Sequence, residues 1–299
     1  MKRNFGRLTA LALCLCLLLG VAGAADYSQS ILAGELTLAG SVTLQSGVLA
    51  ESGRGEKAKT VRENVLYYTM DKAVKPIVAY GNTLYGRSSM KQTATYLDDN
   101  DLMLVAGVNG AFFDMHNGIP YGLVVTEGVL RSSGNIQSVG FFDDGSAIIG
   151  QPGLKVTMET PDGAKTEIFY NKALSKNNGI GLYSRDYDTA TKGSVDGYHV
   201  LLEPVRGSGK ELLLNDSITL EVIGTLAGKA SCGIPEDGFV LSIAEKTIYA
   251  SALDQMEELE TGDRITITTE TDRDWKDVQY ACGGGDLLVE NGRVCGDFT

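Results

Sequence analysis

Disulfide-forming cysteine, clustered positive charge and long apolar runs are all in short supply in this chain, and each shortage excludes something. Five cysteines occur in 299 residues. Cys14 and Cys16 lie in an N-terminal apolar run, which leaves Cys232, Cys282 and Cys295, too few and odd in number for a disulfide framework. No Cys-x-x-Cys is present, which argues against zinc of that type. If Asn291-Gly292 form a two-residue hairpin turn, Glu290 pairs with Arg293 and Cys295 faces Leu288, so Cys282 and Cys295 are not expected to bridge. Lys and Arg number 26 against 38 Asp and Glu, a net charge of −12, and no basic cluster exists. That balance argues against nucleic acid and against anionic membrane surfaces. An anionic substrate would therefore be held by local donors rather than steered from afar.

Several signatures are missing as well. No Gly-x-Ser-x-Gly elbow, His-Glu-x-x-His helix or Rossmann glycine pattern occurs, which removes the lipase-like, zincin and dinucleotide classes. Gly207-Ser208-Gly209-Lys210 lacks the spacing of a phosphate cradle. There is no internal repeat and no Pro- or Ser-rich linker.

The first 24 residues read as a signal peptide. Lys2, Arg3 and Arg7 precede an apolar run from Leu8 to Val21, and Ala22-Gly23-Ala24 offers a small-residue cleavage site. The run falls short of the roughly 20 residues a membrane span requires. Neither Cys14 nor Cys16 follows a small residue as a lipoprotein site would. The expectation is a secreted or cell-surface protein with no stable membrane span after cleavage. Removing the segment takes away three positive charges and no acid.

The remaining chain is long enough for one large domain or two smaller ones. Residues 25–60 alternate weakly and read as short lead-in strands, with Ser52–Lys59 a polar connection. Arg62–Met70 and Val74–Tyr80 read as strands, Arg87–Leu97 as a helix, and Asp98–Asp101 as a solvated acidic turn that lacks a calcium loop's spacing. Three Gly-containing turns, Glu127-Gly128, Asp144-Gly145 and Asp162-Gly163, separate β-rich runs and predict hairpins. Tyr183–Thr191 is a polar loop and Tyr198–Thr225 returns to strands. Gly238–Ile243 reads as a strand, Ile248–Leu259 as an amphipathic helix, and RITITTE at 264–270 as an alternating strand. His199, inside GYHVLLE, reads as structural. The fold class is α+β: a β-rich mixed sheet with a few packed helices and many hairpins.

At the centre stands Val108-Asn109-Gly110-Ala111-Phe112-Phe113-Asp114. Leu102–Val108 is short, apolar and closed by Asn-Gly, which predicts a buried strand ending at a sharp turn. Two phenylalanines followed by Asp114, His116 and Asn117 have two readings: the wall of a small-molecule pocket, or a surface turn with Phe112 and Phe113 as core plugs.

The runs NGAFF at 109–113, GIPYGLVVTEGVLRSS at 118–133 and GFFDDGSAIIG at 140–150, with ACGGGDLLVENG at 281–292, resemble the phosphodiester glycosidase family, whose members include the lysosomal uncovering enzyme. The motifs anchor residues 60–150 and 276–295. The resemblance implies a glycosidase domain over 61–299, with 172–275 as an inserted lobe. The family pattern continues past the glycine hairpin into an Arg-Thr-Ala-x-Gly strand, a helix and a Leu-Asp-Gly-Gly-Gly-Ser motif. This sequence reaches Thr299 with neither, so the resemblance implies a fragment or a divergent member, a sheet incomplete at its C-terminus, and a protein that aggregates or melts broadly.

The activity so implied is hydrolysis of a sugar-1-phosphodiester at the glycosidic bond, through an oxocarbenium-like state, to give sugar and phosphomonoester. The leaving phosphate hardly needs an acid. The site must orient the sugar, stabilise positive charge and supply a base or nucleophile. The catalytic candidates are Asn109, Asp114, His116 and Asp286, with Asn109 best supported by the resemblance. Asp114 and His116 are equally readable as a turn-forming residue and an exposed loop side chain. The substrate-binding candidates are Gly110, Phe112, Phe113, Gly122, Arg131, Gly283, Gly284 and Gly285; Arg131 also reads as an exposed strand residue. Three consecutive glycines fit a place where backbone closely approaches a ligand or another strand. No metal ligands are assigned. The sequence requires no cofactor and leaves a divalent cation open. A non-catalytic carbohydrate- or wall-binding module on the same scaffold, or an inactive fragment, is the alternative. The substrate partner is a sugar phosphate or glycan, and the oligomeric state is open.

Overall fold

The computed structural model describes residues 29–50 and 60–295; the signal-like segment Met1–Ala24 and the connection Ser52–Lys59 lie outside the described residues. The chain divides into two compact units, Met1–Thr69 and Met70–Thr299. The first is an antiparallel meander, β1 (Gln29–Ala39), β2 (Val42–Ala50) and β3 (Thr60–Tyr68), in that order. These strands are longer than the short ones expected.

The second unit begins with an irregular stretch and the helix α1 (Met90–Asp99). A capping box starts the helix: the Ser89 hydroxyl accepts from Gln92 N, and Ser89 N donates to the Gln92 side chain. Asp101, at φ +59°, ends the turn that follows. Then come β4 (Val124–Thr126), β5 (Val129–Ser132), β6 (Ser138–Phe141) and β7 (Ala147–Gly150). Next are β8 (Lys155–Glu159), β9 (Lys165–Glu167), β10 (Phe169–Tyr170), β11 (Gly181–Tyr183), β12 (Gly197–Pro204), β13 (Ser217–Lys229) and β14 (Phe239–Ala244). The helix α2 (Ala250–Glu257), β15 (Arg264–Glu270), β16 (Tyr280–Gly283), β17 (Val289–Glu290) and β18 (Arg293–Val294) complete it.

Two main sheets and the two-stranded β17-β18 hairpin make up the strands of this unit. The larger runs β10-β11-β14-β12-β13-β15-β8-β9 and is mixed, because β10 and β11 are parallel while the other pairs are antiparallel. The smaller runs β5-β4-β16-β6-β7. The protein is thus a β-rich α+β fold with mixed and antiparallel sheets. The pattern within the strands explains the layers. Ile265, Ile267 and Thr269 of β15 and Ile218, Leu220 and Val222 of β13 alternate with exposed or half-exposed neighbours, so each strand buries one face. β14 is apolar without alternation apart from Ser242 and buried throughout, as a central strand covered on both faces should be. One of its faces, with Phe239, Leu241 and Ile243, joins the main core, which also holds Leu123, Leu130, Met158, Met256 and Trp275. Val240, on the other face, joins a smaller core with Leu84, Ile119, Tyr183 and Tyr187.

The three predicted hairpins form. Glu127 and Gly128 both take positive φ, 55° and 75°, as a tight two-residue turn between right-twisted strands requires. Asp144-Gly145 joins β6 to β7 and Asp162-Gly163 joins β8 to β9. His199 is fully buried, its Nδ1 2.7 Å from Ser242 Oγ and its Nε2 2.7 Å from the Lys229 carbonyl oxygen. The 172–275 stretch contributes β11 to β15 to the larger sheet and shares its core with β8 and with Leu123 and Leu130.

Other expectations need correction. Leu102–Val108 is not a buried strand: no described strand pairs with it, and Met103 and Val108 are 89% and 81% exposed. An apolar run becomes a strand only where a neighbour accepts its ladder. Val74–Tyr80 is likewise irregular, and Pro76, which has no N–H, cannot support a central ladder position. The second helix is shorter than predicted, because Ile248 and Tyr249 stand outside it and are exposed. Phe112 and Phe113 are not core plugs: both are exposed, Phe112 at 64%.

Candidate functional site

The loop from Asn109 to Gly122 folds back on itself. Asp114 Oδ1 accepts from His116 N at 2.7 Å, and Oδ2 accepts from Asn117 Nδ2 at 3.2 Å. The Gly118 amide donates to Asp114 O, the Asp114 amide to Ile119 O, and the Tyr121 amide to Phe112 O at 2.9 Å. An isolated bridge joins Phe113 to Pro120. Asp114 is therefore the residue that shapes the turn, the role short acidic side chains take when they bond their own backbone two residues on. His116 projects from the turn and is exposed. Gly118 takes φ +80°, and a Cβ there would overlap the Gly86 carbonyl oxygen, while Gly86 N donates to Asn117 O at 2.6 Å.

The loop lies against the second glycine motif. A Cβ placed on Gly110 would sit 3.2 Å from Cys282 Sγ, and one placed on Gly285 would sit 3.0 Å from Phe112 Cε2. Behind this contact two backbones touch: a Cβ on Gly122 would fall 2.4 Å from Gly283 Cα. Gly283 N donates to Leu123 O at 3.1 Å and Gly284 N to Gln137 O at 2.7 Å. Of the three glycines, Gly283 serves strand-to-strand packing, whereas Gly285 is exposed beside the Phe112 ring.

Alongside runs an open cleft of about 330 Å³, lined by Gln137, Ser138, Val139, Ile149 and the chain from Gly284 to Val289. Asp286 lies on it, exposed and with no side-chain hydrogen bond among the described residues. A cleft of about 390 Å³ over Asn215–Ser217 and Thr268–Glu270 touches neither motif segment; there Asn215 and Thr269 are already bonded to Thr271 and to the Leu213 carbonyl.

Asn109, Gly110, Phe112, Phe113, Asp114, His116 and Gly122 thus share one loop, and Gly283, Gly284, Gly285 and Asp286 lie beside it. Arg131 is engaged elsewhere. Its guanidinium contacts Asp186 Oδ2 and Glu211 Oε1, each at 3.1 Å, and its Nε donates to Thr126 Oγ1 at 2.7 Å. Asp186 also accepts from the Tyr80 hydroxyl at 2.8 Å. Burial opposes the charge on Arg131, but Asp186, with Tyr80 and Glu211 beside it, outweighs that and holds the guanidinium cationic, part of an ion-pair network rather than an exposed strand residue.

Two further groups bear on the site. Burial pushes the Cys282 thiol above its ordinary value, so it stays a thiol at neutral pH and is no activated nucleophile. Lys172 donates through Nζ to the Pro120 carbonyl, to Gly122 O at 3.0 Å and to Tyr121 O at 3.4 Å. Neither Lys172 nor the Tyr80–Asp186–Glu211 set stands out in the sequence; a lysine two residues past a short strand carries no local mark of burial. Among the described residues no group of three or more His, Cys, Asp or Glu is placed to hold a metal ion, and no helix is long and apolar enough to cross a membrane.

No protein-family profile and no curated protein matches the chain. Among solved structures it is similar to a hypothetical protein from Synechocystis, with a TM-score of 0.55 and 17% identity over 90% of this chain and 44% of that one. Identity that low shows the fold alone. The chain spans less than half the length of that neighbour.

Proposed function

We propose that this chain belongs to an exported hydrolase of the phosphodiester glycosidase type, cleaving a sugar-1-phosphodiester at the anomeric bond. The observation that carries the reading is the meeting of Asn109–Asp114 with Cys282–Asp286, the segments on which the sequence resemblance rests, far apart in the chain yet in contact at Gly110–Cys282 and Phe112–Gly285. Export rests on the character of Met1–Ala24.

In this reading each group has a role. The Asn109 side chain, on an exposed irregular stretch where neither Asn109 nor Gly110 takes the positive φ of the expected sharp turn, fixes a sugar or phosphate oxygen. Phe112 offers its ring to the apolar face of the sugar. Asp286 is the carboxylate available to draw a proton from water or to stabilise the ring cation, because Asp114 is committed to its own turn. The leaving phosphate departs as an anion and takes no proton in the step. Gly285 lets the main chain approach the bound sugar.

The commitment of Asp114 to the turn and of Arg131 to two carboxylates also favours a second reading, a carbohydrate-binding module that uses the exposed Phe112, Phe113 and Tyr121 without turnover. The test is incubation of the protein, expressed from its whole reading frame, with UDP-N-acetylglucosamine. Release of N-acetylglucosamine and UDP, lost in Asn109→Ala, supports the hydrolase. Absence of turnover with this and other sugar phosphodiesters, together with retained glycan binding, replaces it with the module.

A further inference from the structure

Lys172 is the cation that the site's chemistry does not use. It follows Asn171, which is buried, sits at φ +51°, and is fixed on every side. Asn171 Nδ2 donates to Arg131 O at 2.6 Å and to Ser184 Oγ at 3.0 Å, its Oδ1 accepts from Ser184 N at 2.9 Å, and its own amide donates to Leu182 O at 2.8 Å. From that anchor the lysine side chain reaches the carbonyls of Pro120, Tyr121 and Gly122, the returning limb of the site loop. This limb holds the outgoing one through the Tyr121–Phe112 hydrogen bond and the Phe113–Pro120 bridge, and it packs on Gly283.

We infer that Lys172 is a positioning residue, a clasp that fixes the Asn109–Gly122 loop against the glycine turn and whose closure is linked to proton binding. The inference stands on these contacts and holds for whichever ligand the loop takes. Among the described residues no carboxylate faces the ammonium. The clasped limb carries only the Tyr121 phenol; the anchoring strands β10 and β11 carry only the phenols of Tyr170 and Tyr183, which burial keeps neutral. On β5 the charge is Arg131, already paired with Asp186 and Glu211. Loss of solvent without a counter-charge pushes Lys172 down to about 7.

The sign follows from linkage. Freed into water the amine takes up its proton near pH 10.4, so opening the clasp binds a proton anywhere between about 7 and about 10. Closure is therefore tightest above that window. It weakens about tenfold per pH unit as the pH falls through it and levels off below about 7. A neutral amine still donates to two carbonyls.

Hydrogen exchange of the wild-type protein, corrected for intrinsic rates, tests this at the amides of Asp114, Gly118 and Tyr121, with β14 as internal reference. Protection at the loop should rise close to tenfold per unit between about pH 7 and 9, relative to β14. In Lys172→Met it should be lower at every pH and without slope. A flat wild-type profile overturns the inference, as does a slope or full protection persisting in Lys172→Met. If that variant does not fold, the wild-type profile alone decides.

Discussion

Replacing Gly283 by alanine puts a methyl group where no space exists. Its Cβ would lie 2.7 Å from Gly122 Cα, 3.2 Å from Gly122 N and 3.3 Å from Ile136 Cδ1. The two nearest atoms are backbone, and the Leu123 carbonyl next along that backbone accepts from Gly283 N, so a shift of the Ile136 side chain alone cannot relieve the clash. One strand must shift by a large part of an ångström. Overpacking in a tight core costs about 1–3 kcal/mol, and a clash against main chain belongs at the top of that range. For a unit of this size, about 3 kcal/mol lowers Tm by roughly 6–12 °C. Calorimetry of Gly283→Ala beside Gly150→Ala measures it. A Cβ on Gly150 meets nothing within 4 Å, so that variant should stay near the wild type. Because Gly122 and Gly283 set the spacing between the loop and the glycine turn, Gly283→Ala should also impair the site. A Tm for Gly283→Ala within a degree or two of wild type would refute the reasoning.

Asp186→Asn should cost about 1–3 kcal/mol in denaturant titration, because the Arg131 and Asp186 side chains are only 16% and 22% exposed and the substitution leaves the cation with Glu211 alone; solvent access at both groups keeps the effect below that of a fully buried pair. Alkaline titration followed by phenolate absorbance should show Tyr80, Tyr170, Tyr183 and Tyr187 silent where exposed tyrosines ionise, since burial raises all four. Their folded-state values lie above the unfolded one near 10, so the stability they contribute is intact below pH 10 and lost above it. Ordinary titration of all four in the folded protein would contradict the assigned burial.

Hairpins were legible in the sequence because their turns are chemically explicit: Glu127-Gly128 needs two positive φ angles and only a few residue pairs supply them cheaply. Strands that alternate, such as Arg264–Glu270, were legible for the same local reason. Leu102–Val108 misled because an apolar run specifies burial only if a partner strand lies beside it, and that is a property of the whole fold. At the site, Gly283 could be read as a point of close approach, yet the object approached, Gly122, lies in another motif. Lys172 and Asp186 could not be found at all, since their roles depend on carbonyls and a guanidinium brought to them by tertiary packing. Asp114 illustrates the limit from the other side: the same residue type serves as base or as turn former, and the bonds it accepts from His116 N and Asn117 Nδ2 favour the second.

The most direct test of the proposed chemistry is the position of the broken bond. Turnover of UDP-N-acetylglucosamine in water enriched in oxygen-18 should leave the released UDP free of label, because attack at the anomeric carbon sends the water oxygen to the sugar. Label in the phosphate would place the attack at phosphorus and contradict the glycosidase account.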